Sequence, residues 1–152
     1  MTRDRLLTQL KADEGTGPMK HGRHLLYKCP KGFWTIGYGH NLDAKGLTRA
    51  QAERLLDDDL DETIRELGAA LPWVADLDPV RQAVLVMMAY QMGVGSAVNK
   101  TGLCGFTQFL EAMQAGDYNT ASVQGLESKW ASLDSPKRAL RLMEMVRSGL
   151  WA

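Results

Sequence analysis

The four residues "CPKG" at 29–32 constrain the fold more than any other stretch. They stand between "HLLYK" and "FWTIGYG", two runs with β-branched and aromatic residues, and they put proline and glycine where a tight turn needs them. A β-hairpin is therefore expected over about 25–41, with Gly37 and Gly39 marking a bend or a close backbone approach in its second strand. Every other periodic segment is helical. The expected class is α+β, mainly helical.

The helices announce themselves by their caps. Thr2 is placed to cap a first helix, in which Leu6, Leu7 and Leu10 form one apolar stripe and which ends near Asp13-Glu14-Gly15. Thr48 and Gln51 form a capping box that opens a long helix with Leu56, Leu60, Ile64 and Leu67 on one face. Its consecutive Asp57, Asp58 and Asp59 point in different directions, which suits a solvated face and not a metal site. Asp78-Pro79 is a cap followed by a first-turn proline, and "VRQAVLVMMAYQMG" after it is apolar almost all round, as a buried central helix would be. A glycine-rich loop follows over 93–105. Phe106, Phe109, Leu110 and Met113 then mark a short helix, Asp117 caps another, and Ser135-Pro136 launches a terminal helix with Leu140, Met143 and Val146. The expected organisation is one domain over 1–152: a small mixed lobe (about 13–47), a linking helix (about 48–67) and a helical lobe (about 68–152) that the N-terminal helix completes.

A length of 152 residues suits that single domain. The 18 basic and 18 acidic residues cancel, so no whole-molecule field draws the chain to nucleic acid or membrane. No apolar run approaches the roughly 18 residues of a membrane span, and the charged N-terminus does not read as a signal peptide. Synthesis in the cytoplasm is the expectation. Cys29 and Cys104 are too few for a disulfide framework, and their expected places in different lobes disfavour pairing.

The chemistry centres on an absence. From Gly15 through Leu42 there is no Asp or Glu, while Lys20, Arg23, Lys28 and Lys31 all fall in that stretch. The hairpin turn holds Cys29 instead of a carboxylate. Glu14, just before the acid-free stretch, sits where the first helix ends. The negative end of the helix dipole disfavours its charge, and partial burial would raise its pKa further, toward that of a general acid. A plain solvent-facing helix-end glutamate is the alternative reading.

"DEG" closing a first helix, then "YKCPKGFWTIGYGH", "LTRAQAERLLDDDL", "MAYQMG", "GFTQFL", "SKW", "SPKRALR" and Trp151 resemble, in order and over nearly the whole chain, the phage-type lysozymes (endolysins or muramidases) of glycoside hydrolase family twenty-four. The resemblance implies a two-lobed lysozyme-like fold and cleavage of the β-1,4 bond between N-acetylmuramic acid and N-acetylglucosamine in peptidoglycan. It implies a catalytic Glu14, with Cys29 at a position the family fills with Asp or Cys, and Thr35 six residues on. It further implies sugar contacts from Tyr90, Gln91 and Gln124, a hairpin-supporting His40, no cofactor and no metal. The partner is the peptidoglycan glycan strand, with no nucleic acid and no membrane anchor, and the protein is expected to be a monomer. It would be made in the host cytoplasm and act in the periplasm after release, with host lysis as its role. The Glu14-to-Cys29 spacing is longer than is usual in the family.

Glycoside hydrolysis needs a proton for the leaving oxygen and a base or nucleophile on the other face of the sugar. Cys29 can serve as a thiolate, or weakly as a polarisable hydrogen-bond acceptor, and Lys28, Lys31, His21 and His24 are the neighbours expected to favour the thiolate. Thr35 would hold the water, giving inversion, while direct attack by sulfur would give retention. Three other readings stay open. A lytic transglycosylase needs the acid but no water-activating partner. A non-catalytic peptidoglycan-binding module needs neither. A cysteine protease, with Cys29 near His21 and His24, lacks an accompanying oxyanion motif.

Overall fold

The computed structural model describes residues 2–152. The chain forms two compact units, the first ending at Arg54 and the second covering Leu55–Ala152.

The first unit begins with helix α1 (Arg3–Glu14), which Gly15 ends at φ 67° while its N–H donates to the Lys11 carbonyl. Thr2 stands at the N-cap without a side-chain cap bond. Two small antiparallel sheets follow. Strands β1 (Met19–Lys20) and β2 (Arg23–His24) form a hairpin closed by His21 and Gly22, both at positive φ (49° and 77°), as a two-residue turn between twisted strands requires. Strands β3 (Tyr27–Lys28), β4 (Trp34–Ile36) and β5 (His40–Asn41) form a three-stranded sheet with β4 in the middle. Tyr27 pairs with Thr35 and Thr35 with Asn41. Short helix α2 (Leu42–Lys45) is capped by the Asn41 side chain. Asp43 Oδ2 accepts from the Trp34 N–H at 2.7 Å, tying α2 to the start of β4.

Leu6, Leu7 and Leu10 of α1 recur at helical spacing but are exposed (41–44%). Strands of two and three residues in the same unit offer no apolar face large enough to cover them.

Helix α3 covers Arg49–Ala70. Its capping box forms in both directions: Gln51 N–H donates to Thr48 Oγ1 at 3.2 Å, and Thr48 N–H donates to Gln51 Oε1 at 2.8 Å. Of its expected apolar stripe only Leu67 is buried, while Leu56, Leu60 and Ile64 are exposed.

In the second unit a 3₁₀ turn (Pro72–Asp76) leads to α4 (Pro79–Met92), where Asp78 accepts from the N–H groups of Val80 and Arg81. Helices α5 (Thr107–Gln114), α6 (Tyr118–Leu126) and α7 (Pro136–Ser148) follow. Val84, Leu85 and Met88 of α4, Phe109 and Met113 of α5, and Leu142, Met143 and Val146 of α7 are almost fully buried and form one core. Each such side chain contributes roughly 1.5–3 kcal/mol of burial free energy. Arg81 staples α4 to α7. Its Nε donates to the Val146 carbonyl at 2.7 Å, its Nη1 to Asp78 at 2.7 Å, and its guanidinium lies 3.5 Å from the Tyr118 ring centroid.

The architecture is mainly helical α+β, as the sequence predicts. Among the described residues no helix is long and apolar enough to cross a membrane.

Candidate functional site

The turn after β3 is built as its sequence dictates. Pro30 follows Cys29, and Gly32 takes φ 84°. Gly32 N–H donates to the Cys29 carbonyl at 2.8 Å, and Cys29 N–H donates to the Phe33 carbonyl at 3.0 Å. This geometry folds the chain around the sulfur. Desolvation is the largest single influence on the Cys29 thiol and raises its pKa, but the backbone amides of Phe33, Lys31 and Gly32 and the Thr35 hydroxyl together outweigh it, and the net effect lowers its pKa. Such an array is how a turn stabilises an anion. The basic side chains expected to do this are not among the causes. Lys28 instead lies over the Trp34 ring, 5.0 Å from its centroid, and His24 sits edge-on to Tyr38.

Thr35 is buried (3% exposed) on the central strand. Its hydroxyl donates to the Phe33 carbonyl at 3.1 Å and also lies within reach of the Cys29 sulfur. One proton cannot serve both acceptors at once, so the hydroxyl can turn as the sulfur ionises, and its lone pairs stay available to a water.

Glu14 is the last residue of α1. Its carboxyl group rests on Gly39: a Cβ built there would stand 3.0 Å from Glu14 Oε2. The residue is exposed, which agrees with the solvent-facing alternative and not with the partial burial that would raise its pKa. Cys29 follows β3 and pairs across the hairpin with Phe33, just before β4, while Glu14 meets the turn that follows β4, so Thr35 on β4 falls between the two along a strand about 10 Å long. His40 supports this sheet, its Nε2 donating to the Gly46 carbonyl at 2.8 Å.

The phage lysozyme family model matches residues 20–142. The chain belongs to the phage lysozyme family. That family consists of peptidoglycan-degrading hydrolases, so a glycosidase is the enzyme class at hand. The matched stretch contains Cys29, Thr35, Tyr90, Gln91 and Gln124, whereas Glu14 and α1 precede it.

The three remaining candidates lie in the second unit, each in different surroundings. Gln91 Oε1 accepts from Trp130 Nε1 (3.2 Å) and Arg138 Nη1 (2.9 Å), and its Nε2 donates to Ser135 Oγ (2.5 Å). Its amide therefore holds the start of α7 and the π-turn Trp130–Asp134 together, leaving one N–H for anything else. Those partners stand 39 to 47 residues away, so no local pattern announces them. Tyr90, its neighbour, is exposed and borders an acidic hollow of about 410 Å³ with Asp59, Glu62 and Glu66. Gln124 lines a hollow of about 400 Å³ with Phe106, Phe109, Gln108, Glu127 and Ser128, a mix of aromatic, amide, hydroxyl and carboxylate groups. Among the described residues no group of three or more His, Cys, Asp or Glu is placed to hold a metal ion.

Proposed function

We propose that this phage lysozyme family member is an N-acetylmuramidase that hydrolyses the β-1,4 bond between N-acetylmuramic acid and N-acetylglucosamine, using a cysteine thiolate as its base. The observation that carries this reading is the ring of amide and hydroxyl donors on Cys29. A turn that lowers a thiol's pKa favours the negative charge that an oxocarbenium-like transition state requires.

Glu14, as carboxylic acid, donates its proton to the glycosidic oxygen as the bond to the sugar breaks. A water held by Thr35 gives a proton to the Cys29 sulfur, and its oxygen attacks the anomeric carbon from the opposite face. The product is inverted. The thiol then releases its proton and Glu14 regains one from solvent. Placement of Thr35 between the two groups favours this route over direct attack by sulfur. Gln124, with Phe106 beside it, and Tyr90 are assigned to saccharide contact. Gln91 is assigned to it through its one remaining N–H. The whole chain is read as one monomeric catalytic domain, made in the host cytoplasm and acting on periplasmic peptidoglycan after a membrane lesion releases it.

Mass analysis of products from purified peptidoglycan tests the reaction. Muropeptides with reducing N-acetylmuramic acid ends, first formed as the inverted anomer, are expected. Anhydro ends, one water lighter, would make it a transglycosylase, and binding without release of any ends would make it a binding module.

A further inference from the structure

Helix α1 and the turn joining β4 to β5 meet through two consecutive grips. Gly39 takes the Glu14 carboxyl group, and Tyr38 takes the preceding turn of the helix: Lys11 Nζ stands 5.6 Å from the Tyr38 ring centroid. Lys11 and Glu14 are three residues apart and so share a helix face. From the other side His24 packs edge-on against Tyr38, with ring centroids 5.2 Å apart at 62°. His24 is itself fixed, its Nδ1 donating to the Thr16 carbonyl at 2.9 Å.

The segment between Glu14 and β3 is therefore tied down along its length. Leu25 N–H donates to the Pro18 carbonyl at 2.8 Å, and the Tyr27 ring lies so close over Gly17 that a Cβ there would stand 2.6 Å from it. This segment brings His24 to Tyr38. Gly39, at φ 77° and without a Cβ, then lets the carboxyl group close onto the backbone.

We propose that Tyr38 is a positioning residue for Glu14, clamped between Lys11 and His24, and that the β1–β2 hairpin serves to hold that clamp. The inference rests on the reading of Glu14 as the acid. The Tyr38 ring is held by Lys11 and His24, and the groups that act on the Cys29 sulfur are Phe33, Lys31, Gly32 and Thr35, so loss of Tyr38 is expected to misplace the proton donor while leaving the sulfur's environment intact.

The test compares kcat and KM of Tyr38→Phe, Tyr38→Ala and Glu14→Gln on soluble peptidoglycan strands, with the rate of Cys29 alkylation by iodoacetamide as a separate readout of the sulfur's turn. Tyr38→Phe keeps the ring, so both ring contacts survive, and it stays within about twofold of the parent. Tyr38→Ala lowers kcat roughly tenfold or more, with KM and alkylation rate nearly unchanged. Should Tyr38→Ala fail to fold, His24→Ala removes the edge contact together with the bond to the Thr16 carbonyl, keeps the Tyr38 ring, and carries the same expected pattern. Parental kcat in the alanine variant overturns the proposal, as does a loss shared by the Phe variant or matched by altered alkylation. An active Glu14→Gln would overturn the catalytic assignment itself, a different result from an inactive Glu14→Gln beside a fully active Tyr38→Ala.

Discussion

Cys29 occupies the position from which a side-chain acceptor in a tight turn reaches the N–H groups two, three and four residues on. An aspartate there could accept from the same donors, so Cys29→Asp is expected to retain activity although the two residues differ in ordinary pKa by several units. Lowered thiol and raised thiol sit in one chain: the turn favours the Cys29 thiolate, while burial in the core raises Cys104. Alkylation followed by mass spectrometry at neutral pH is therefore expected to label Cys29 alone in folded protein, and Cys104 only after unfolding. Equal labelling of both would contradict the site as described. The acid-free stretch and Cys29 were visible in the sequence, but the cause of thiol activation was not. Sequence neighbours suggested lysines and histidines, whereas backbone amides do the work, and where an amide points is set by the turn.

At the scale of elements, caps proved the most readable signal because their chemistry is local. Thr48–Gln51, Asp78-Pro79 and Asp117 all form bonds that three or four adjacent letters specify. Ser135 does not follow the pattern: its hydroxyl accepts from Gln91 instead of capping α7, a pairing 44 residues apart. Arg81 is another distant pairing, and its loss can be weighed. Arg81→Ala leaves the Val146 carbonyl and the Asp78 carboxylate without their charged donor and should destabilise the protein by about 2–3 kcal/mol, read as a lower midpoint in chemical denaturation. Asp78 adds a pH dependence of definite sign. Burial is the largest single influence and raises its pKa, but the bonds and charge of Arg81 and the Val80 amide together outweigh it, so the folded value lies below the unfolded one. Its stabilisation is fully present above pH ~3.9 and lost as pH falls through the lower, folded value. The Arg81→Ala variant should show a weaker acid sensitivity in that window, and an unchanged one would exclude the pairing as its source.

At the scale of the molecule, the class was legible because one hairpin signal stood among helical periodicities. Exposure of Leu6, Leu7, Leu10, Leu56 and Leu60 was not, since periodicity shows that a face is apolar but not what covers it. Net charge offers a further check. With 18 positive and 18 negative residues, binding to purified peptidoglycan should weaken only modestly, less than tenfold, between low and physiological salt, as a sedimentation assay would show. A steep loss would assign the affinity to the cations at Lys20, Arg23, Lys28 and Lys31. The account's central claim, that ionised sulfur is the base, is tested most directly by the pH dependence of kcat/KM in the parent and in Cys29→Asp. A base must be deprotonated to act, so the acid limb follows its pKa. The account predicts a limb in the parent set by a thiol below its ordinary value, moving down toward the carboxylate range near pH ~4 in the aspartate variant. An identical acid limb in both proteins would contradict it.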